Sequence, residues 1–531
     1  MRVLVFHGYL LRGTGSNVYN ANLAAALVGL GHEVHLVCQE RHAAEFDFVG
    51  AVADWDSGEL VVRQVGDATC TVYRPDIGGL LPVYVADRYE GVEARPFPEL
   101  TDAQLDAYLA ANVSAVKEVV ARWGADLALA NHLVMGPAIL ARALSGTSVP
   151  YAVKVHGSAL EYTVKPHPRF LPYAREGIAP AKAVLVGSLH VAESLWAVLD
   201  DRTLPPRTRL GPPGVDVSRF HPRERADTLA RLCALAERIP GPRRPETVAR
   251  GAGLAAEEPD STFSRDPAAT ARALRELAAA GRSAPIVAFV GKLILSKGID
   301  LLLASWPLVL DEVPTARLAV IGFGAYRAGT ERWIDALSAG DLACIHELVN
   351  SGAALEGGPR SSLRFMLAFL EWLETSGEGD RYLTAAGAMR ERVIVTGRLE
   401  HDELADVLPV TEAVVVPSTF PESFGMVAVE AAACGALPIT SAHSGLVEVS
   451  RTLGEGLPES VRRLTSFPLG PNVVHSIATR VIDWLRAPPE LRDTVRAALA
   501  NTVAARYSWE RVAQGVTAAA RGELDVLEQP R

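Results

Sequence analysis

Cysteine is scarce: five residues in a chain of 531, with no C-x-x-C pair. Cys38, Cys70, Cys233, Cys344 and Cys434 are too few and too scattered for a disulfide framework or a zinc site, and they point to a reducing cytoplasm. There is no apolar run long enough to span a bilayer. The opening MRVLVFHGYLLRGTGS has Gly8 inside it and no small-residue cleavage site, so it reads as a first strand rather than a leader. Positive charge is not in excess: 52 Lys+Arg against 62 Asp+Glu leave a net charge of -10. Bulk nucleic-acid binding is therefore not expected, and any phosphate site must be a local basic feature. No repeat of short period is found. What is present is bulk, with 49% hydrophobic and 21% charged residues. That is too much chain for one core, and two domains of roughly 200 residues each, plus extra segments, are expected.

Apolar runs without alternation, separated by helical stretches, imply parallel sheets covered on both faces. A first series runs through VLVF, EVHLVC, DLALA (126–130), YAVKV (151–155) and AVLVG (183–187). A second runs through PIVAFVGK (285–292), ARLAVIGFG (316–324), RVIVTG (392–397), AVVVPS (413–418) and LPITS (437–441). The fold class is thus α/β, two Rossmann-like doubly wound domains facing across a cleft, with strand carboxyl ends toward it. The expected boundaries are 1–218, a linker or insertion at 219–283, a second domain at 284–505 with an insertion at 326–390, and a C-terminal helix at 506–531 that packs back toward the first domain. A helix over 267–279 capped by Asp266 is predicted within the linker. LGPPGVDVSRFHP (210–222) is a plausible hinge.

Five stretches could carry chemistry. GTGSN (13–17) turns from strand to helix and could present amides to an anion, although a tight turn explains it equally well. VGKLILSKGIDLLL (290–303) puts Lys292 and Lys297 on a strand-to-helix loop, suited to a diphosphate or simply solvated. PESFGMVAVE (421–430) places Glu422 in a loop, a helix start near Phe424 or Gly425, and Glu430 one to two turns into the helix. Thr419 to Glu422 has the spacing of a capping box. That leaves Glu430 unexplained: a buried carboxylate wants a hydrogen-bond donor, and a ligand ribose is one candidate. In VKVHGS (153–158) a strand ends at His156, which taken alone is better explained by structure. SALEYTVKPHPRF (158–170), with Glu161, Tyr162, Lys165 and Arg169, is either a packed loop or a site for a polar or anionic acceptor.

Together these pieces resemble the retaining glycosyltransferases of family 4, which have the GT-B fold. The resemblance runs in order through LAAAL and LGHEVHLV (23–37), the HG at 156–157, PPGVDVSRFHP (212–222) and the S-K-G loop. It continues through IGFG (321–324), VTGRLEHDELADVL (395–408), PESFGMVAVEAAACGALPITSAHSGLVEV (421–449) and YSWERVA (507–513). The resemblance implies that Glu422 contacts the transferred sugar's hydroxyls and Glu430 holds the nucleotide ribose. Lys297, with Lys292 where arginine is common, would bind the diphosphate. Phe424, Gly425 and Met426 would form the backbone segment beside it, and His156 would lie beside the donor sugar. Gly15 matches the second glycine of the family's paired-glycine loop, with Thr14 replacing the first. Ser444 and Val447 replace a glycine and a proline of the G-G-x-P-E stretch, and Glu448 is kept.

The implied activity is transfer of a sugar from a nucleoside-diphosphate sugar, of UDP or GDP type, to an acceptor hydroxyl, with retention. No cofactor and no metal are expected, since no D-x-D pair sits at a strand end in the cleft. The rival readings are an epimerase or phosphorylase on the same fold, and a non-catalytic nucleotide-sugar-binding protein. The helix predicted over 102–123 is not strongly basic, which makes peripheral membrane contact a lesser expectation.

Overall fold

The computed structural model describes residues 1–13, 15–84, 93–239 and 265–531. Thr14 and the middle of the expected linker lie outside the described residues. The chain forms two compact units, one of Met1–Asp216 with Tyr507–Arg531, the other of Val217–Arg506.

The first unit is built on nine strands: β1 (Arg2–Phe6), β2 (Glu33–Val37), β3 (Val49–Asp56), β4 (Glu59–Gln64), β5 (Cys70–Arg74), β8 (Leu127–Asn131), β9 (Tyr151–Lys154), β10 (Ala183–Val186) and β11 (Thr208–Leu210). Between β5 and β8, β6 (Leu80–Val83) and β7 (Glu93–Pro96) form a separate two-stranded sheet. The nine are ordered β11-β10-β9-β8-β1-β2-β5-β3-β4 and are parallel except for the β3–β4 pair. β1 shows why the apolar runs lack alternation. Leu4 and Phe6 join one buried cluster, Val3 and Val5 the other, so both faces of the strand are covered. The second cluster is completed by Trp509, Val512, Ala513 and Val516 of the C-terminal helix Trp509–Arg521. β4 does not register as a strand in the sequence because it is a largely exposed edge. Its Val61 and Val62 face solvent, and Ser57 and Gly58 take positive φ at the hairpin turn.

The second unit holds β12 (Ile286–Val290), β13 (Arg317–Ile321), β14 (Val393–Gly397), β15 (Ala413–Val416), β16 (Leu437–Ser441) and β17 (Ser466–Phe467). They form a parallel sheet ordered β14-β13-β12-β15-β16-β17. The described part of 219–283 is a layer of this unit rather than a linker. Helices Arg225–Arg238 and Pro267–Ala280 pack on each other, and the second also packs on β14. Asp266 caps the second helix by accepting from the Ala269 amide at 3.0 Å. The insertion between β13 and β14 is helical, from Arg327–Ala339 to Met389–Arg392. Its amphipathic helix Arg364–Thr375 buries Met366, Phe369, Leu370 and Leu373.

Candidate active site

The strand order of the second unit reverses at β12, which has β13 on one side and β15 on the other. Loops leaving the carboxyl ends of β12 and β15 are therefore neighbours, the arrangement that makes a binding crevice in open α/β sheets. The β12 loop carries Lys292 and Lys297, and the β15 loop carries Glu422. Backbone bonds tie them: Thr419 N donates to Ser296 O at 2.9 Å. Gly298 stands at the crossing with φ +70°, and a Cβ there would lie 2.0 Å from the Pro417 carbonyl oxygen. Only glycine permits that approach.

The approach brings Lys297 to Glu422. Lys297 Nζ donates to Glu422 Oε1 as an ion pair, and Ser418 Oγ donates to the same oxygen at 2.6 Å. Burial raises the Glu422 pKa, but the charge and hydrogen bond of Lys297, with Ser418 and His443, lower it further, so the carboxyl sits below its usual range. The Glu422 amide donates to Ser444 Oγ at 2.9 Å, and Gly445 N donates to Glu422 O at 2.9 Å. Ser444 has a positive φ of 48°, and its hydroxyl holds the Glu422 amide. His443 Nε2 donates to the Ser418 carbonyl at 2.7 Å, with Nδ1 3.0 Å from the Ser444 hydroxyl.

The helix itself runs Met426–Ala433 with Gly425 as its N-cap at φ +119°. A Cβ on Gly425 would meet Leu446 Cδ2 at 2.7 Å. The helix start is not closed by a capping box: Glu422 is used by Lys297 and Ser418 instead. Ala428 donates to Gly425 O at 3.1 Å, so the amides before it lie ahead of the helix's own ladder, at its positive end, where Phe424 is buried.

Glu430 is 3% exposed. The sequence left it without a donor in the chain; the structure supplies one in His401, whose Nε2 lies 2.8 Å from Glu430 Oε1. Burial lowers the His401 pKa, but the hydrogen bond and charge of Glu430, with Asp402, outweigh it and the net shift is upward. The His401 ring also packs on Phe220 at 4.9 Å.

The first unit has the same topology at β1, flanked by β2 and β8. Three histidines gather at the carboxyl ends of β1, β8 and β9: His7, His132 and His156. His156 Nε2 lies 2.8 Å from Asn131 Oδ1, while the Asn131 amide nitrogen donates to Phe6 O at 3.1 Å. Asn131 therefore accepts, His156 donates through Nε2, and Nδ1 keeps its lone pair. The His156 ring lies 4.9 Å from His132 and meets the edge of Tyr19 at 4.9 Å. Burial, then the neighbouring His132, Lys154 and His7, push its pKa well below the usual value. Burial likewise lowers His7 to about 4, even though Nε2 bonds Leu10 O and Asn17. Lys154 is also buried, its Nζ donating to Gly211 O at 2.5 Å, and burial lowers its pKa to about 7.

Gly15 is the exposed first residue of helix Gly15–Gly29. Of the acceptor candidates, Glu161 is engaged by Lys165 at 2.7 Å and by Ser194 Oγ at 2.8 Å. Arg169 donates to Leu100 O at 2.7 Å and lies over the Phe170 ring, while Tyr162 is 45% exposed. Sequence reasoning missed His401, Ser418, His443, Asn131 and His7. Only His7 carried a readable signal, the strand-end His-Gly that also marks His156.

Two family models match the chain. The glycosyl transferase 4-like domain matches residues 14–203 and glycosyl transferases group 1 matches residues 381–500. The chain belongs to these glycosyltransferases and has the GT-B fold. The D-inositol 3-phosphate glycosyltransferase of Segniliparus rotundus is 30% identical over 247 residues, 46% of this chain and 41% of that protein. The chain thus spans less than half the length of that relative. Among solved structures, sucrose-phosphate synthase of Thermosynechococcus elongatus superposes with a TM-score of 0.55 at 19% identity, covering 99% of each chain. Anabaena HepE superposes with a TM-score of 0.52 at 13% identity, covering 97% of this chain and 98% of that one.

Proposed function

We propose that the protein moves a sugar from a nucleoside-diphosphate sugar, of UDP or GDP type, to an acceptor hydroxyl, with retention at the anomeric carbon. The Lys297–Glu422 pair at the β12/β15 reversal, beside the N-terminus of helix Met426–Ala433, carries this reading. The anomeric carbon–phosphate oxygen bond breaks, and the leaving diphosphate gathers negative charge. Lys297, Lys292 and the amides around Phe424, Gly425 and Met426 stabilise that charge without a metal. Glu422, held ionised, accepts from sugar hydroxyls near the reacting carbon. Glu430 gives one oxygen to His401 and the other to the ribose. The acceptor oxygen bonds to the anomeric carbon on the face the diphosphate leaves, and its proton passes to a diphosphate oxygen. By the family pattern His156 is the first unit's contribution, neutral and with Nδ1 able to accept. The loop 158–170 selects the acceptor.

The HepE structure holds UDP and glucose, which makes uridine nucleotides the first donors to try. All five cysteines are unpaired, in keeping with a cytoplasmic enzyme, and no described helix is long and apolar enough to cross a membrane. The test is a thermal-shift panel of UDP, GDP, ADP and their glucose and mannose conjugates. A nucleotide at about 100 times its Kd stabilises by roughly 2.7 kcal/mol. Incubation should then release free nucleoside diphosphate only when an acceptor is added. Conversion of the donor into an epimeric sugar nucleotide without acceptor would favour an epimerase-type reaction, and no shift with any nucleotide would overturn the reading.

A further inference from the structure

The loop that carries Lys297 ends in a short 3-10 turn, Leu295–Lys297. A helical turn leaves its first amides without partners, and a polar side chain at the preceding residue ordinarily accepts from them. Here that residue is Ile294, which has nothing to offer. The missing acceptor arrives from the insertion: Glu356 Oε2 accepts from the Leu295 amide at 2.9 Å, from 61 residues downstream. Glu356 ends its own 3-10 turn, Gly352–Glu356, in the middle of the inserted helices.

The root of the insertion grips the same loop. Leu293 N donates to Phe323 O at 2.7 Å, and Tyr326 N donates to Leu293 O at 2.9 Å. Tyr326 is buried, and its hydroxyl accepts from Trp333 Nε1 at 2.8 Å. On its other side the turn is tied to the β15 loop through Thr419 N and Ser296 O. The Lys297 turn is therefore held from two directions, by the loop of Glu422 and by the insertion.

We infer that Glu356 is a positioning residue for the donor diphosphate: the inserted helices cap the Lys297 turn in trans and so aim the Lys297 ammonium at the site. This rests on the donor-site reading above. It gives the insertion a role in that site, where a decorative insertion would leave the loop to itself. Glu356 touches no substrate in this scheme. It acts through the turn, and what it supplies is an acceptor oxygen rather than a charge.

The test compares UDP binding by calorimetry in the full chain and in Glu356→Ala and Glu356→Gln. Losing this hydrogen bond at the turn should weaken UDP about tenfold in Glu356→Ala. Glu356→Gln keeps a carbonyl acceptor and should stay within about twofold of the parent. Amide exchange at residues 293–298 should rise in the alanine variant and not in the glutamine variant, with the unliganded melting temperature alike in both. Parental UDP binding in Glu356→Ala overturns the inference and leaves the donor site standing. Equal loss in both variants together with a fallen melting temperature overturns it too, since the carboxylate would then only support the insertion. If the parent chain binds none of UDP, GDP and ADP, the donor-site reading falls and this inference falls with it.

Discussion

The two units solve the same problem in opposite ways. Each brings ionisable side chains to the carboxyl ends of its central strands, where burial penalises charge. The first unit answers by keeping its groups neutral. His7, His132 and His156 lie close together with no carboxylate among their hydrogen-bond partners, and burial lowers all three. The second unit answers by pairing: Lys297 with Glu422, and His401 with Glu430. A neutral pocket suits hydrogen bonding to an uncharged sugar or acceptor. A paired one suits an anionic leaving group, whose arrival can exchange one partner for another.

The contrast can be broken most sharply at Glu422. Glu422→Gln keeps the shape and removes the charge, and turnover should fall about 10²–10³-fold with the circular dichroism unchanged. His156→Gln preserves a neutral donor toward Asn131 and should cost only about tenfold; an equal loss at both sites would erase the distinction. Next comes Gly298→Ala. A positive φ and a Cβ 2.0 Å from the Pro417 carbonyl should remove about 2–3 kcal/mol from the second unit in urea unfolding and displace the Lys297 turn. An unchanged midpoint would mean the loops do not need this approach.

The histidines of the two units should also respond to pH with opposite sign. A histidine lowered in the folded state contributes stability that is present above its unfolded value of 6.5 and lost as pH falls through the folded value. Between pH 6.5 and about 4, each such histidine of the first unit should cost at most about 1.4 kcal/mol per pH unit, and His132→Phe should flatten the slope. His401 is raised, so its pairing with Glu430 is fully present below pH 6.5 and lost as pH rises through its folded value. His401 is partly exposed, which keeps this effect under about 1 kcal/mol. The melting-temperature gap between parent and His401→Gln should narrow from pH 6 to pH 8; a constant gap would mean that packing on Phe220, not charge, is what His401 supplies.

Much of the fold was legible because β1, β8, β9, β12, β13, β15 and β16 are buried on both faces and so read as unbroken apolar runs. β4 was not, since an exposed edge strand has little apolar pattern to read. In the described part of 219–283 the helix over 267–279 was legible from its Asp266 cap, whereas Arg225–Arg238 was not, because its many charges hide a face that is buried only against its neighbours. In the site, Lys297, Glu422 and Glu430 were legible by their spacing within strand–loop–helix units. Ser444 looked like a departure and became explicable only through its positive φ and its bond to Glu422.

Residue order along the chain was enough to call for two doubly wound halves and to single out the acidic and basic groups, because both follow from local periodicity and from charges at strand ends. It could not supply their partners. His401 meets Glu430 across 29 residues, Lys297 meets Glu422 across 125, and Leu295 takes its cap from Glu356 across 61. Those meetings depend on which strands lie side by side in a sheet whose order is not the order of the chain, and on how near one glycine lets two loops come.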